Sequence, residues 1–101
     1  MKKPEECKNI EDIRHEIDVI DNQIVKLISE RAAYVKEAAK FKNSETGVRD
    51  EKRVAAVVES KKKLALEYNI SPDLIGDIYK RMIDYFVDRE IEEWKLNKKA
   101  L

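Results

Sequence analysis

Ile10, Ile13, Ile17, Ile20, Ile24 and Leu27 follow one another in steps of three and four, the spacing that gathers side chains on one face of an α-helix. The rhythm continues through Arg31, Tyr34, Ala38 and Phe41. With Ile10 at heptad position a, Ile13, Ile20 and Leu27 fall at d, while Ile28 and Val35 fall at e. Positions a, d and e therefore form the face that seeks burial. Arg31 takes an a position, and Arg14 and Lys42 take e. Three cations on or beside an apolar stripe need an anionic counterpart, because an unpaired buried charge costs several kcal/mol.

The pattern predicts three helices and no strands, an all-α fold. Asn9 with Asp12 three residues later reads as an N-cap with an acidic third residue, and helix one runs from there to about Lys42. Asn43-Ser44-Glu45-Thr46-Gly47 then breaks the rhythm. Asp50 caps a second helix that carries Val54, Val57, Val58, Leu64 and Ala65 to about Tyr68. Ser71-Pro72 is a strong start signal, with serine at the cap and proline at the first helical position. The third helix shows Ile75, Ile78, Tyr79, Met82, Ile83, Phe86 and Trp94. Gly76, near its start, weakens it slightly.

The length of helix one has a consequence. Asn9 to Lys42 is 34 residues, about 50 Å of helix, whereas a compact chain of this size has a radius of gyration of about 13 Å. Such a helix exposes its stripe unless a second chain covers it. An intertwined homodimer is the simplest answer.

Composition narrows the chemistry. The chain has 101 residues, 43% of them hydrophobic, enough for one domain, residues 1–101, with a modest core. Charged residues make up 42%, but 21 basic residues balance 21 acidic ones. That balance argues against a nucleic-acid partner, and Lys61-Lys62-Lys63 and Lys98-Lys99 read as solvated surface. Met1-Lys2-Lys3-Pro4-Glu5-Glu6-Cys7 lacks the apolar core of a signal peptide, and no run approaches the ~20 apolar residues of a membrane span. The expected location is cytoplasmic, without a membrane partner. One cysteine, Cys7, one histidine, His15, and one carboxylate-x-x-His pair (Asp12 with His15) do not make a usual metal site. No metal and no cofactor are expected.

Arg14 and Arg31 are 17 residues apart, about 25 Å along a straight helix. If both serve one small ligand, one of them comes from a second subunit. Arg31 and Lys42 lie about 16 Å apart on the same measure, within convergence range of two long side chains. Arg53, early in helix two, can fold back across the 43–49 connection. On helix three, Glu90 stands four residues after Phe86 and four before Trp94, in line with the apolar stripe. A carboxyl there should have a raised pKa and be able to donate a hydrogen bond when neutral. Taken singly, each arginine also fits a carboxylate partner across a helix interface, with Asp18 and Asp21 available, or a side chain that reaches out to water. Glu90 alone also fits a boundary residue that curls to solvent. Four cations and one semi-buried carboxyl on converging faces fit a site for a compact polyanion.

These residues resemble a known family. The chain is similar over nearly its whole length to the all-helical chorismate mutases, and within them to the isochorismate-pyruvate lyase branch. The resemblance rests on the Met-Lys-x-Pro-Glu-Glu-Cys opening, Ile13-Arg14, Ile17-Asp18-x-Ile20-Asp21 and Arg31-x-x-Tyr34-Val35-Lys36. Phe41-Lys42, Arg53-Val54-Ala55-Ala56 and Ile91-x-x-Trp94 extend it.

The resemblance implies an intertwined homodimer with two shared sites and a small dicarboxylate substrate. It implies that Arg14 of the other subunit and Arg31 bind the two substrate carboxylates. Lys42 then contacts the departing ether oxygen beside a lid loop, and Arg53 adds positive potential. Glu90 stands where the lyase and many mutases carry a glutamine that donates to the substrate. As a glutamate it must be protonated to donate, so activity should fall as pH rises. Val54 replaces a glutamate that binds the ring hydroxyl of chorismate in typical mutases, which favours isochorismate. Asp50 is more mutase-like.

The implied reaction is pericyclic, with Lys42 and Glu90 as its catalytic groups, and needs no nucleophile or metal. The lyase reading gives salicylate and pyruvate from isochorismate; the mutase reading gives prephenate from chorismate. A non-catalytic helical dimerisation module, with its cations satisfied by internal ion pairs, is the alternative of another class.

Overall fold

A computed structural model describes residues 1–42 and 50–100, with side chains described through residue 96. The expected break at Asn43–Gly47 and the lid over 43–49 lie outside the described residues. Three α-helices carry the described chain: α1 (Ile10–Ala38), α2 (Glu51–Glu67) and α3 (Pro72–Ala100). No strand occurs among the described residues. Two compact parts divide the chain, Met1–Tyr34 and Val35–Leu101.

In the first part, a short 3-10 turn over Pro4–Glu6 precedes α1. Asn9 Oδ1 accepts the Asp12 backbone N–H at 2.8 Å, and Asp12 Oδ2 accepts the Lys8 N–H at 3.0 Å. The start signal at Asn9 and Asp12 therefore satisfies two backbone donors before the helix's own bonding begins. The hydrogen bond from Lys8 and the Lys2 ammonium 3.3 Å away hold the Asp12 carboxyl below the usual carboxylate range.

Helix α1 has no buried residue. Ile10, Ile17, Ile24 and Leu27 are 55%, 49%, 48% and 61% exposed. The predicted stripe is present and open to solvent in the single chain.

Helix α1 ends as an α-helix at Ala38 rather than near Lys42. Ala39–Phe41 tighten into a 3-10 turn, and Lys42 leaves with extended backbone angles (φ −94°, ψ 135°). Tightening of a last turn is a common way to satisfy terminal carbonyls, and the Lys42 N–H donates to the Ala39 carbonyl at 3.2 Å.

The second part is built on α2 and α3. Both start signals are used: Asp50 Oδ1 accepts the Arg53 N–H at 3.1 Å, and Ser71 Oγ accepts the Leu74 N–H at 3.2 Å. Between the helices, Asn69 adopts a positive φ of 58°. Ile70 N–H donates to the Ala65 carbonyl at 3.0 Å and Asn69 N–H to Leu66 at 3.2 Å, the paired bonds of a Schellman cap. Asparagine tolerates this left-handed conformation better than most residues.

The two helices pack side by side and antiparallel. Val54, Val57 and Val58 meet a core of Ile83 and Val87, joined by Tyr79, Ile91 and Trp94. Nearer the turn, the stem of Lys62 crosses Gly76, where an added Cβ would lie 2.5 Å from Lys62 Cε. The glycine that costs helix propensity thus allows a close approach.

Candidate functional site

Glu90 is the one buried charged residue among those described, at 7% exposure. The fourth-residue spacing from Phe86 to Glu90 to Trp94 keeps it on the face of α3 that carries Ile83, Val87 and Ile91. It does not curl to solvent, which removes that alternative. Its Oε1 has no hydrogen-bond partner among the described residues. Loss of water around it raises its pKa above the ordinary glutamate value, and the nearby positive charge of Lys42 offsets part of that rise. A neutral carboxyl here can donate one hydrogen bond and accept others.

Lys42 reaches this carboxyl from the opposite direction in sequence. It is half-buried and begins the segment that follows the 3-10 turn. Two contacts tie the end of α1 and the turn to α3, and the turn itself is buried at Ala39. Ala39 is 2% exposed; Lys36 Nζ lies 4.0 Å from Glu93 Oε1; and the Trp94 indole N–H donates to the Lys42 carbonyl at 3.2 Å. The periodicity placed Trp94 on the apolar stripe but gave no partner for its N–H. The available signal was chemical, since a buried indole almost always finds an acceptor.

Arg53 lies in the first turn of α2, exposed, one residue before core-packed Val54. Asp50 is committed to capping that turn. In the first part, Arg14 is exposed and pairs with Glu11 at 3.1 Å, not with Asp18 or Asp21. Arg31, on the stripe, is half-buried, and its Nη1 is buried without a hydrogen-bond partner among the described residues. A guanidinium N–H left dry and unpaired is costly, and an incoming carboxylate would satisfy it.

The structure thus brings Lys42 and Glu90 together, with Arg53 on the adjoining helix. It holds Arg14 and Arg31 17 residues apart on α1. Among the described residues no cluster of three or more His, Cys, Asp or Glu is arranged to hold a metal ion. No described helix is long and apolar enough to cross a membrane.

A helical chain that buries a carboxyl beside a lysine, and leaves an arginine unsatisfied on its longest apolar stripe, matches the chorismate mutase type II family over residues 13–91. The chain belongs to that family and is an enzyme. Among its relatives, the isochorismate pyruvate lyase of Pseudomonas aeruginosa is 33% identical over 100 residues, 99% of both chains. The chorismate mutase of Methanocaldococcus jannaschii is 32% identical over 79 residues, 77% of this chain and 80% of that one.

Proposed function

We propose that this enzyme is an isochorismate-pyruvate lyase with side activity as a chorismate mutase. The observation that carries the reading is the buried Glu90 carboxyl beside Lys42, its Oε1 without a hydrogen-bond partner among the described residues. The similarity to the Pseudomonas lyase along essentially the whole chain supports the lyase over the mutase, as does Val54, whose side chain belongs to the apolar core. Asp50, the mutase-like residue, is occupied as a helix cap.

The reaction balances without a cofactor. The ether carbon–oxygen bond of isochorismate breaks as one ring hydrogen passes to the enolpyruvyl methylene. The ring becomes salicylate, and the side chain leaves as pyruvate. Lys42 donates to the ether oxygen as negative charge grows on it, and Glu90, protonated, donates to the same end of the substrate. A donor aimed at developing charge in a dry site is typically worth about 3–4 kcal/mol. Holding the side chain over the ring in a reactive conformer supplies the rest.

Arg31 and Arg14 of the partner subunit bind the two carboxylates, and Arg53 adds positive potential. Their separation along α1 requires two chains per site. The functional unit is the whole chain, residues 1–101, in a homodimer that covers the α1 stripe. Burying six half-exposed aliphatic side chains on each chain would contribute about 1 kcal/mol apiece.

The chorismate mutase reading has support of its own in the Methanocaldococcus relative. Incubation with isochorismate and, separately, with chorismate tests both readings. Equimolar salicylate and pyruvate identify the lyase, and prephenate alone identifies the mutase. A stable dimer inert to both substrates would leave a non-catalytic helical module.

A further inference from the structure

Trp94 is the sole tryptophan of the chain, and its N–H makes a side-chain hydrogen bond across 52 residues of sequence. The acceptor is the backbone carbonyl of Lys42, where the 3-10 turn ends in extended backbone angles. One helical turn before Trp94 on α3 is Glu90, and the adjacent Glu93 lies 4.0 Å from Lys36, in the last turn of α1 before the 3-10 turn. Two consecutive residues of α3 therefore bond to residues on either side of the turn in sequence, Lys36 and Lys42, and Ala39 within the turn is buried. A lysine side chain has four rotatable carbons and little stiffness of its own. Where its ammonium sits depends on where its backbone is anchored.

We infer that Trp94 is a positioning residue for the reaction: its indole N–H, bonded to the Lys42 carbonyl, sets the origin of the Lys42 side chain relative to Glu90. The inference rests on the assignment of Lys42 and Glu90 to the site. Removing the bond frees the Lys42 backbone and lets the ammonium drift from the position that the breaking bond requires. Small misplacements of a catalytic group are costly to turnover. The loss falls on kcat, because substrate is held chiefly by its carboxylates.

Since there is one tryptophan, growth on benzothienylalanine replaces a single N–H by sulfur with almost no change in shape. Trp94→Phe provides a second variant. Both are assayed for kcat and KM beside thermal unfolding. The expected result is a kcat lowered about tenfold, the scale of one lost hydrogen bond, with KM changed less than about twofold and an almost unchanged Tm in the sulfur analogue. In the unmodified protein, the single indole N–H resonance should be protected from hydrogen exchange. Undiminished kcat in the sulfur analogue would overturn the inference, as would a loss that tracks Tm and KM together, which marks a structural role only. Unmodified protein inactive on both substrates, with a protected indole, would instead overturn the functional reading, and the catalytic part of the inference with it.

Discussion

Replacing Glu90 with glutamine separates two consequences of one buried carboxyl. At 7% exposure, with Oε1 unpartnered, the ionised form is penalised by lost hydration, and Lys42 restores only part of it. The folded enzyme therefore keeps this proton to higher pH than the unfolded chain does. Its contribution to stability is full below the unfolded glutamate pKa. It declines as pH rises toward the folded pKa and is level above it. Within that window the slope is at most about 1.4 kcal/mol per pH unit.

Catalysis follows the same proton. Above the folded pKa the donating form falls about tenfold for each pH unit, and activity falls with it. Glutamine keeps a donor of similar size that never ionises. Glu90→Gln should then abolish the alkaline fall in kcat/KM. It should also gain Tm relative to the parent as both are taken from about pH 5 to about pH 8. Measurement needs pH–rate profiles and thermal unfolding of the two proteins in matched buffers. A parent profile that stays flat into alkaline conditions would refute a donating Glu90. An alkaline fall that survives unchanged in the variant would assign it to another group.

Substitutions at three other places probe separate links. Lys42→Ala should lower kcat by roughly a hundred- to a thousandfold with a smaller effect on KM, the pattern of a donor engaged in the transition state; a change in KM alone would make it a binding residue. Arg14→Ala and Arg31→Ala should each be nearly inactive, and mixing them under subunit exchange should restore part of the activity, since one hybrid site keeps both arginines. Absence of restored activity, with hybrid dimers demonstrated by mass, would refute a shared site. Asn69→Ala should cost about 1 kcal/mol by forcing an alanine to φ near 58°, whereas Asn69→Gly should not; equal urea midpoints for the two variants would refute the cap.

Features that depend on near neighbours could be read from residue order. Asn9, Asp50 and Ser71-Pro72 each start a helix through a side chain that accepts an N–H three residues on, a bond whose two ends are fixed by local backbone geometry. The stripe from Ile10 to Leu27 and the apolar line from Ile75 through Phe86 to Trp94 were legible for the same reason, because a 3.6-residue period assigns faces without knowledge of what covers them. Cations on such a stripe also marked Arg31 and Lys42, and the four-residue spacing from Phe86 and Trp94 marked Glu90.

Tertiary structure alone decided how those faces were used. Whether Glu90 would curl to water or lie dry depended on the packing of α2 and on the turn at Ala39–Phe41, which brings Lys42 across 48 residues of sequence. The partner of the Trp94 N–H and the close passage of Lys62 over Gly76 were set by the same docking of distant segments. Helix one tightened at Ala39 although its apolar rhythm runs on to Phe41, because periodicity records which side is apolar and not where the backbone changes its turn. Local hydrogen bonds fixed the helices, and the burial of a few side chains between remote segments fixed the chemistry.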